Sequence, residues 1–275
     1  MLCKIILTLV VSYSNVSQEP LERGNQSQLQ PCEAIVYDTS EYKTSAVIDY
    51  ELVCERAWLR ATVQSVYMVG MLLGSYLFGD LSDRLGRKPV FMSALVLMVL
   101  VGLGQALIPE YFAFTTLRFI LGASLQGIFL VAYVMAMELV GKTRRVLVGV
   151  LAQAFYTLGY FSAALLAWSI HSWRWLQVAM TLPALFFIPY YWLIPESSRW
   201  LISQGRTAEA RLILQHAANL NGKTVTEEMM QEVVNTTSGK MVSSQAANFL
   251  DLFRHPNLRK KTLNIFFNWY DLTLS

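Results

Sequence analysis

The side chains in this sequence that could do chemistry are charges set at the ends of long apolar runs, and tyrosines and glutamines set inside them. Between two such runs, Gly79 to Lys88 reads GDLSDRLGRK and crowds Asp80, Asp83, Arg84, Arg87 and Lys88 into a stretch too short for a domain. Gly79 and Gly86 let the backbone turn tightly there. Glu138 and Arg145 stand at an E-x6-R spacing in ELVGKTRR, and Glu196 and Arg199 stand three residues apart in PESSRWL. At i, i+3 on a helix the last two can pair with each other or with neighbouring loops. Opposite charges at a headgroup boundary pair when helices converge and separate when they splay, which is ion-pair chemistry and not covalent catalysis.

Inside the runs lie Gln64, Tyr67, Gln126, Phe129, Tyr133, Gln153 and Tyr156. A polar group left facing lipid is expensive, so these positions are candidates for a polar path through the membrane. Gln126, Phe129 and Tyr133 share one helical face, as do Gln153 and Tyr156, and a tyrosine ring can hold a quaternary ammonium by roughly 0.5 to 2 kcal/mol of cation–π attraction. The three histidines, His171, His216 and His255, are scattered over loops. With no Ser, His and Asp arrangement, no phosphate-binding glycine loop and no Cys/His metal spacing, neither an enzyme nor a cofactor or metal is expected.

These groups need a membrane-spanning scaffold to hold them. A chain of 275 residues that is 54% hydrophobic and only 15% charged is too apolar for a soluble domain, and its mean hydropathy is +0.39. It reads as a polytopic membrane protein whose first partner is the lipid bilayer. The net charge of +3 is small and unevenly placed, with no basic stripe of the kind that binds nucleic acid. Five apolar runs, approximately Ala61 to Phe78, Val90 to Ile108, Phe112 to Met137, Val146 to Trp168 and Trp175 to Ile194, are each long enough to cross. Arg84, Arg87 and Lys88 follow the first, Lys142, Arg144 and Arg145 the third, and Arg199, Arg206 and Arg211 the fifth, while the other turns carry almost no basic residue except Arg174. That alternation puts the basic turns in the cytoplasm and the N-terminal loop outside.

Residues 1–11 are too short an apolar run to span, and read either as a truncated first helix or as a signal-like segment. Residues 12–60 are acidic, as suits an extracellular loop, with Asp49 among the acids. Asn15 and Asn25 open glycosylation sequons there, and an oxidising compartment would permit a disulfide between Cys32 and Cys54. Residues 61–195 hold the five spans. Residues 196–261 read as a cytoplasmic linker of short amphipathic helices, and 262–275 as the start of a further membrane helix behind the basic cluster Arg259, Lys260 and Lys261.

The GDLSDRLGRK loop resembles, nearly residue for residue, the G-x-x-x-D-R-x-G-R-[RK] loop between helices two and three of the major facilitator superfamily of secondary transporters. PESSRWL resembles the signature that follows helix six in its sugar and organic-ion members. Pro31 to Leu59, running into QSVYMVG at Gln64 to Gly70, is similar to the organic cation/carnitine/anion transporter family. The resemblance implies an all-α N-terminal six-helix bundle with its first helix truncated, plus the start of helix seven. It implies that Glu138 and Arg145 join Asp83, Arg84 and Arg87 in one conformational charge cluster with Glu196 and Arg199, that helices four and five line a central cavity, and that Arg118 opens a second superfamily motif. It further implies transport of a small organic cation or zwitterion such as carnitine by alternating access, with a C-terminal six-helix bundle as the missing partner. A sugar-type or organic-anion carrier, or a membrane fragment with a regulatory role, are the other readings.

Overall fold

The computed structural model describes residues 44–141, 144–222, 231, 256 and 259–264. Asn15, Asn25 and Cys32 lie outside the described residues, and with them the sequons and the Cys32–Cys54 pairing. The chain falls into two units, Met1–Trp200 and Leu201–Ser275. In the first, a short helix α1 (Ala46–Asp49), whose Ser45 hydroxyl accepts from the Ile48 N–H at 3.2 Å, leads through a 3-10 turn (Cys54–Arg56) to five longer elements. These are α2 (Trp58–Leu85), α3 (Arg87–Leu107), α4 (Tyr111–Leu139), α5 (Arg145–Ser169) and a fifth that begins as α6 (Trp173–Thr181). In the second unit, Thr207–Leu220 forms the amphipathic helix expected there, and residues 259–264 are helical.

Among the described residues, five stretches, α2 to α5 and Trp173–Leu193, are long and apolar enough to cross a membrane. Two features depart from the sequence reading. The stretch read as a charged turn is mostly helix: α2 runs to Leu85 and only Gly86 breaks it. A 28-residue helix is about 42 Å long against a hydrocarbon core of about 30 Å. Asp80 to Leu85 can therefore stay helical beyond the lipid, helped by the Asp80–Arg84 pair at i, i+4. The last span is not one helix either. It passes from α6 into a 3-10 stretch at Leu182–Phe187 and a short turn α7 at Tyr190–Leu193. Pro183 and Pro189 remove the N–H groups that would continue the α-ladder, so the helix loosens where they fall.

Small residues set the closest helix crossing. Gly70 and Gly74 of α2 lie against the backbone of Phe119 and Ala123 in α4, while Gly122 of α4 faces the Tyr67 carbonyl and Gly127 the Phe78 ring. Any side chain at these places would drive into a neighbouring helix, so they bring α2 and α4 together as small-xxx-small faces do. Gly74→Leu is expected to force this pair apart at a cost of about 1–3 kcal/mol. It should lower the thermal midpoint of the detergent-solubilised chain, whereas Gly159→Ala, at a position with nothing within 4 Å among the described residues, should leave it unchanged. Apolar clusters around Val90, Val131 and Met135, and around Leu95, Val99 and Ala184, fasten α3 to α4 and to the last span. By contrast, only Ala163 and Ala167 of α5 are buried.

Candidate functional site

At the end of the bundle where α2 meets α3, Gly86 takes φ 111, a conformation that favours glycine. The turn brings the first N–H groups of α3 onto the Glu196 carboxylate: Arg87 N–H donates at 2.9 Å, and Lys88 N–H at 3.2 Å. A Cβ at Gly86 would sit 2.9 Å from Glu196 Oε2, so glycine also permits the close approach. These N–H groups have no partner within their own helix and sit at its positive end, so an anion is well placed there. Glu196 thus caps α3 and does not pair with Arg199, which is exposed.

The same turn points the Arg87 side chain inward, where it is only 11% exposed. Its guanidinium donates to the Asp83 carboxylate, to Ser82 Oγ at 3.2 Å, and across a 3.5 Å ion pair to Glu138 Oε1. Ser197 Oγ donates to the other Glu138 oxygen at 2.5 Å, and the Trp200 indole N–H donates to the Asp83 carbonyl at 2.8 Å. Lys88 Nζ lies 4.6 Å from the centroid of the Tyr191 ring. The ends of α2, α3, α4 and the last span therefore meet in one network of Asp83, Arg87, Glu138 and Glu196. Arg84 is not in it: it pairs with Asp80 at 2.9 Å and is 73% exposed. Arg145 is not in it either, and its buried Nε has no hydrogen-bond partner among the described residues.

The polar path residues are split between two places. Phe129 stacks on Tyr133 with ring centroids 6.2 Å apart and meets Tyr156 of α5 at 6.1 Å. Tyr156 in turn packs edge-on against Tyr160 at 4.8 Å, their hydroxyls 2.6 Å apart. Phe129, Tyr133 and Tyr156 remain 40–47% exposed, so the group presents ring surface on the open side of α4 and α5. Gln153 is exposed, Gln126 half-buried, and the buried Oε1 of Gln64 has no hydrogen-bond partner among the described residues. Tyr67 lies elsewhere. It lines a separate cavity of about 300 Å³ together with Arg118, Ser162, Gln177 and Thr181. Both Tyr67 and Arg118 are buried, and the Arg118 guanidinium lies 5.0 Å from the Phe114 ring centroid.

At the opposite end, the segment before α2 packs onto the bundle in a way that the sequence reading missed. Asp49 Oδ2 accepts from the Trp173 indole at 3.0 Å and from Arg174 Nε and Nη2 at 3.2 and 3.1 Å. Tyr50 donates to the Ile108 carbonyl at 2.9 Å. Burial raises the Tyr50 phenol above its ordinary value, with Asp49 adding to the shift against the opposing pull of Arg174 and Arg118, so it stays a neutral donor. The only sequence signals were an acid in an acidic loop and Arg174 in HSWRWLQ.

An all-helical bundle with these spans, charged at one end and aromatic in its middle, has the architecture of a major facilitator transporter half. The proton:xylose symporter XylE from E. coli has this fold: its complex with 6-bromo-6-deoxy-D-glucose matches at a TM-score of 0.58 and 22% identity, over 69% of this chain and 45% of that one. The chain belongs to the Sugar (and other) transporter family, which matches residues 13–270. It is 48% identical over 252 residues to the organic cation transporter protein of Drosophila melanogaster, covering 90% of this chain and 46% of the relative. It is 37% identical over 257 residues to human solute carrier family 22 member 13, covering 94% of this chain and 46% of that one. The chain thus spans a little under half the length of these relatives, in their N-terminal half, and is a multi-pass membrane protein.

Proposed function

We propose that this chain is the N-terminal part of a plasma-membrane carrier that moves small organic cations or carnitine-like zwitterions by alternating access, not an enzyme. The observation that carries this reading is the aromatic group Phe129, Tyr133, Tyr156 and Tyr160, which offers ring faces to a cation inside membrane-spanning helices. The organic cation transporter relative supports the same substrate class. In this reading residues 12–60 are extracellular and the turns bearing Arg87 and Arg144 are cytoplasmic, as the alternation of basic residues requires. Residues 196–261 are then the linker to a second bundle, and the network of Asp83, Arg87, Glu138 and Glu196 holds the cytoplasmic side of the cycle in one state.

The test is uptake of a radiolabelled quaternary ammonium compound, such as tetraethylammonium or carnitine, by cells expressing a full-length protein that carries this chain. Saturable uptake above vector-only cells, competed by other quaternary amines, is the expected result. Selective uptake of hexoses would move the protein to the sugar branch, and surface expression without uptake of any probe would support a regulatory fragment.

A further inference from the structure

Asp49 gathers three donors onto one carboxylate oxygen, and Arg174, which supplies two of them, also reaches the Ala106 carbonyl at 3.4 Å. Tyr50 bonds the Ile108 carbonyl, and Tyr111 bonds the Leu59 carbonyl at 2.9 Å. Thr44 forms an isolated bridge with Ser172. Beneath these polar links Val47, Tyr50 and Leu52 are buried with Val63, Phe114 and Trp173 in a single apolar cluster. Glu51, between two of these anchors, holds φ 51, a left-handed conformation that a non-glycine residue keeps only where its surroundings over-determine it. The segment is therefore fixed by its contacts and not by its own propensity.

We propose that Asp49 is the fastener that bolts residues 45–56 across the ends of α2, α3, α4 and α6, making outer segment and helix ends one rigid unit. The consequence rests on the carrier reading above. During a transport cycle the end of the outer loop travels with this bundle as part of its body, and does not open over it as a separate lid. The energetic reason is local. An oxygen that accepts two charge-assisted bonds and an indole N–H is the strongest polar contact between the segment and α6. Loss of its charge weakens all three bonds at once and leaves the apolar cluster, the Tyr50–Ile108 bond and the Thr44–Ser172 bridge to hold the segment.

Hydrogen exchange followed by mass spectrometry, on the full chain in lipid nanodiscs, tests this in the parent and in Asp49→Asn. The amides of Asp49, Tyr50 and Leu52, which donate to Ser45, Ala46 and Val47 carbonyls, are expected to exchange about tenfold faster in the variant. Peptides from the middles of α2, α3 and α4 should exchange as in the parent. Exchanging the charges in the double variant Asp49→Arg, Arg174→Asp should restore at least part of the protection, which a purely steric role for Asp49 does not predict. Unchanged exchange at 45–56 in Asp49→Asn overturns the proposal, and so does faster exchange throughout the bundle, since Asp49 would then hold the fold and not the segment. Failure of the charge exchange to recover protection also counts against it. These exchange changes together with no uptake by the full-length protein that carries this chain would sink the transport reading and leave the fastener standing.

Discussion

Arg87→Ala in a full-length protein carrying this bundle is expected to lower the transport rate about five- to 150-fold, while Arg84→Ala leaves it near the parent value. The two arginines are three residues apart and identical in type, but Arg87 is 11% exposed and bonds both Asp83 and Glu138, whereas Arg84 is 73% exposed and, among the described residues, bonds only Asp80. An exposed i, i+4 pair contributes little. Removing Arg87 leaves the half-buried Glu138 with only the Ser197 hydroxyl from this network. Such an unmade charged bond costs about 1–3 kcal/mol, or a shift of about five to 150-fold between two states that differ in whether the bond is made. If the network is closed in one state of the cycle and open in the other, that shift appears in rate more than in affinity. Glu138→Ala should have the same effect, and the double variant should be no worse than the worse single, because both substitutions break one unit. Transport rate, half-saturating concentration and surface level of the parent and the four variants decide the matter. Additive losses would show that the two residues act separately, and loss of surface protein would show that the network only supports folding.

That contrast between Arg84 and Arg87 also marks what the sequence could reveal. Five spans were legible because a run of about 20 apolar residues has few alternatives to a membrane helix. Their ends were less so. Polar residues from Asp80 to Arg84 look like a turn by composition, yet they continue α2, because carboxylate and guanidinium at i, i+4 favour helix once the chain has left the lipid. Which arginine faces inward is decided by the rotation that Gly86 introduces, and residue type does not encode it. Glu196 was legible as a site but not by its partner: it binds main-chain N–H groups, which every residue except proline carries and which leave no trace in the sequence. Asp49 escaped for a related reason, since its partners Trp173 and Arg174 lie more than a hundred residues further along the chain. The shared face of Gln126, Phe129 and Tyr133 could be read because that spacing lies within one helix, but the meeting of Phe129 with Tyr156 depends on how α4 packs beside α5.

Tyr156→Ala is expected to weaken binding of a quaternary ammonium substrate about two- to thirtyfold, corresponding to roughly 0.5–2 kcal/mol of lost cation–π attraction. Tyr156 is the hub of the aromatic group, touching Phe129 on α4 and Tyr160 one turn along α5. Its removal therefore takes away one ring face and also the packing that orients a second. Tyr156→Phe keeps the face and loses only the 2.6 Å contact between the two hydroxyls, so its affinity should stay close to the parent. Tyr67→Leu, which like Tyr156→Ala removes a ring face, provides the comparison that makes the test specific to place. Tyr67 is also a membrane tyrosine, but it is buried in the separate cavity beside Arg118, away from the aromatic group. Half-saturating concentrations for a labelled quaternary ammonium should therefore rise in Tyr156→Ala alone. An equal rise in Tyr67→Leu, or none in Tyr156→Ala at normal surface expression, would remove the aromatic group from the substrate path and return these rings to a packing role between α4 and α5.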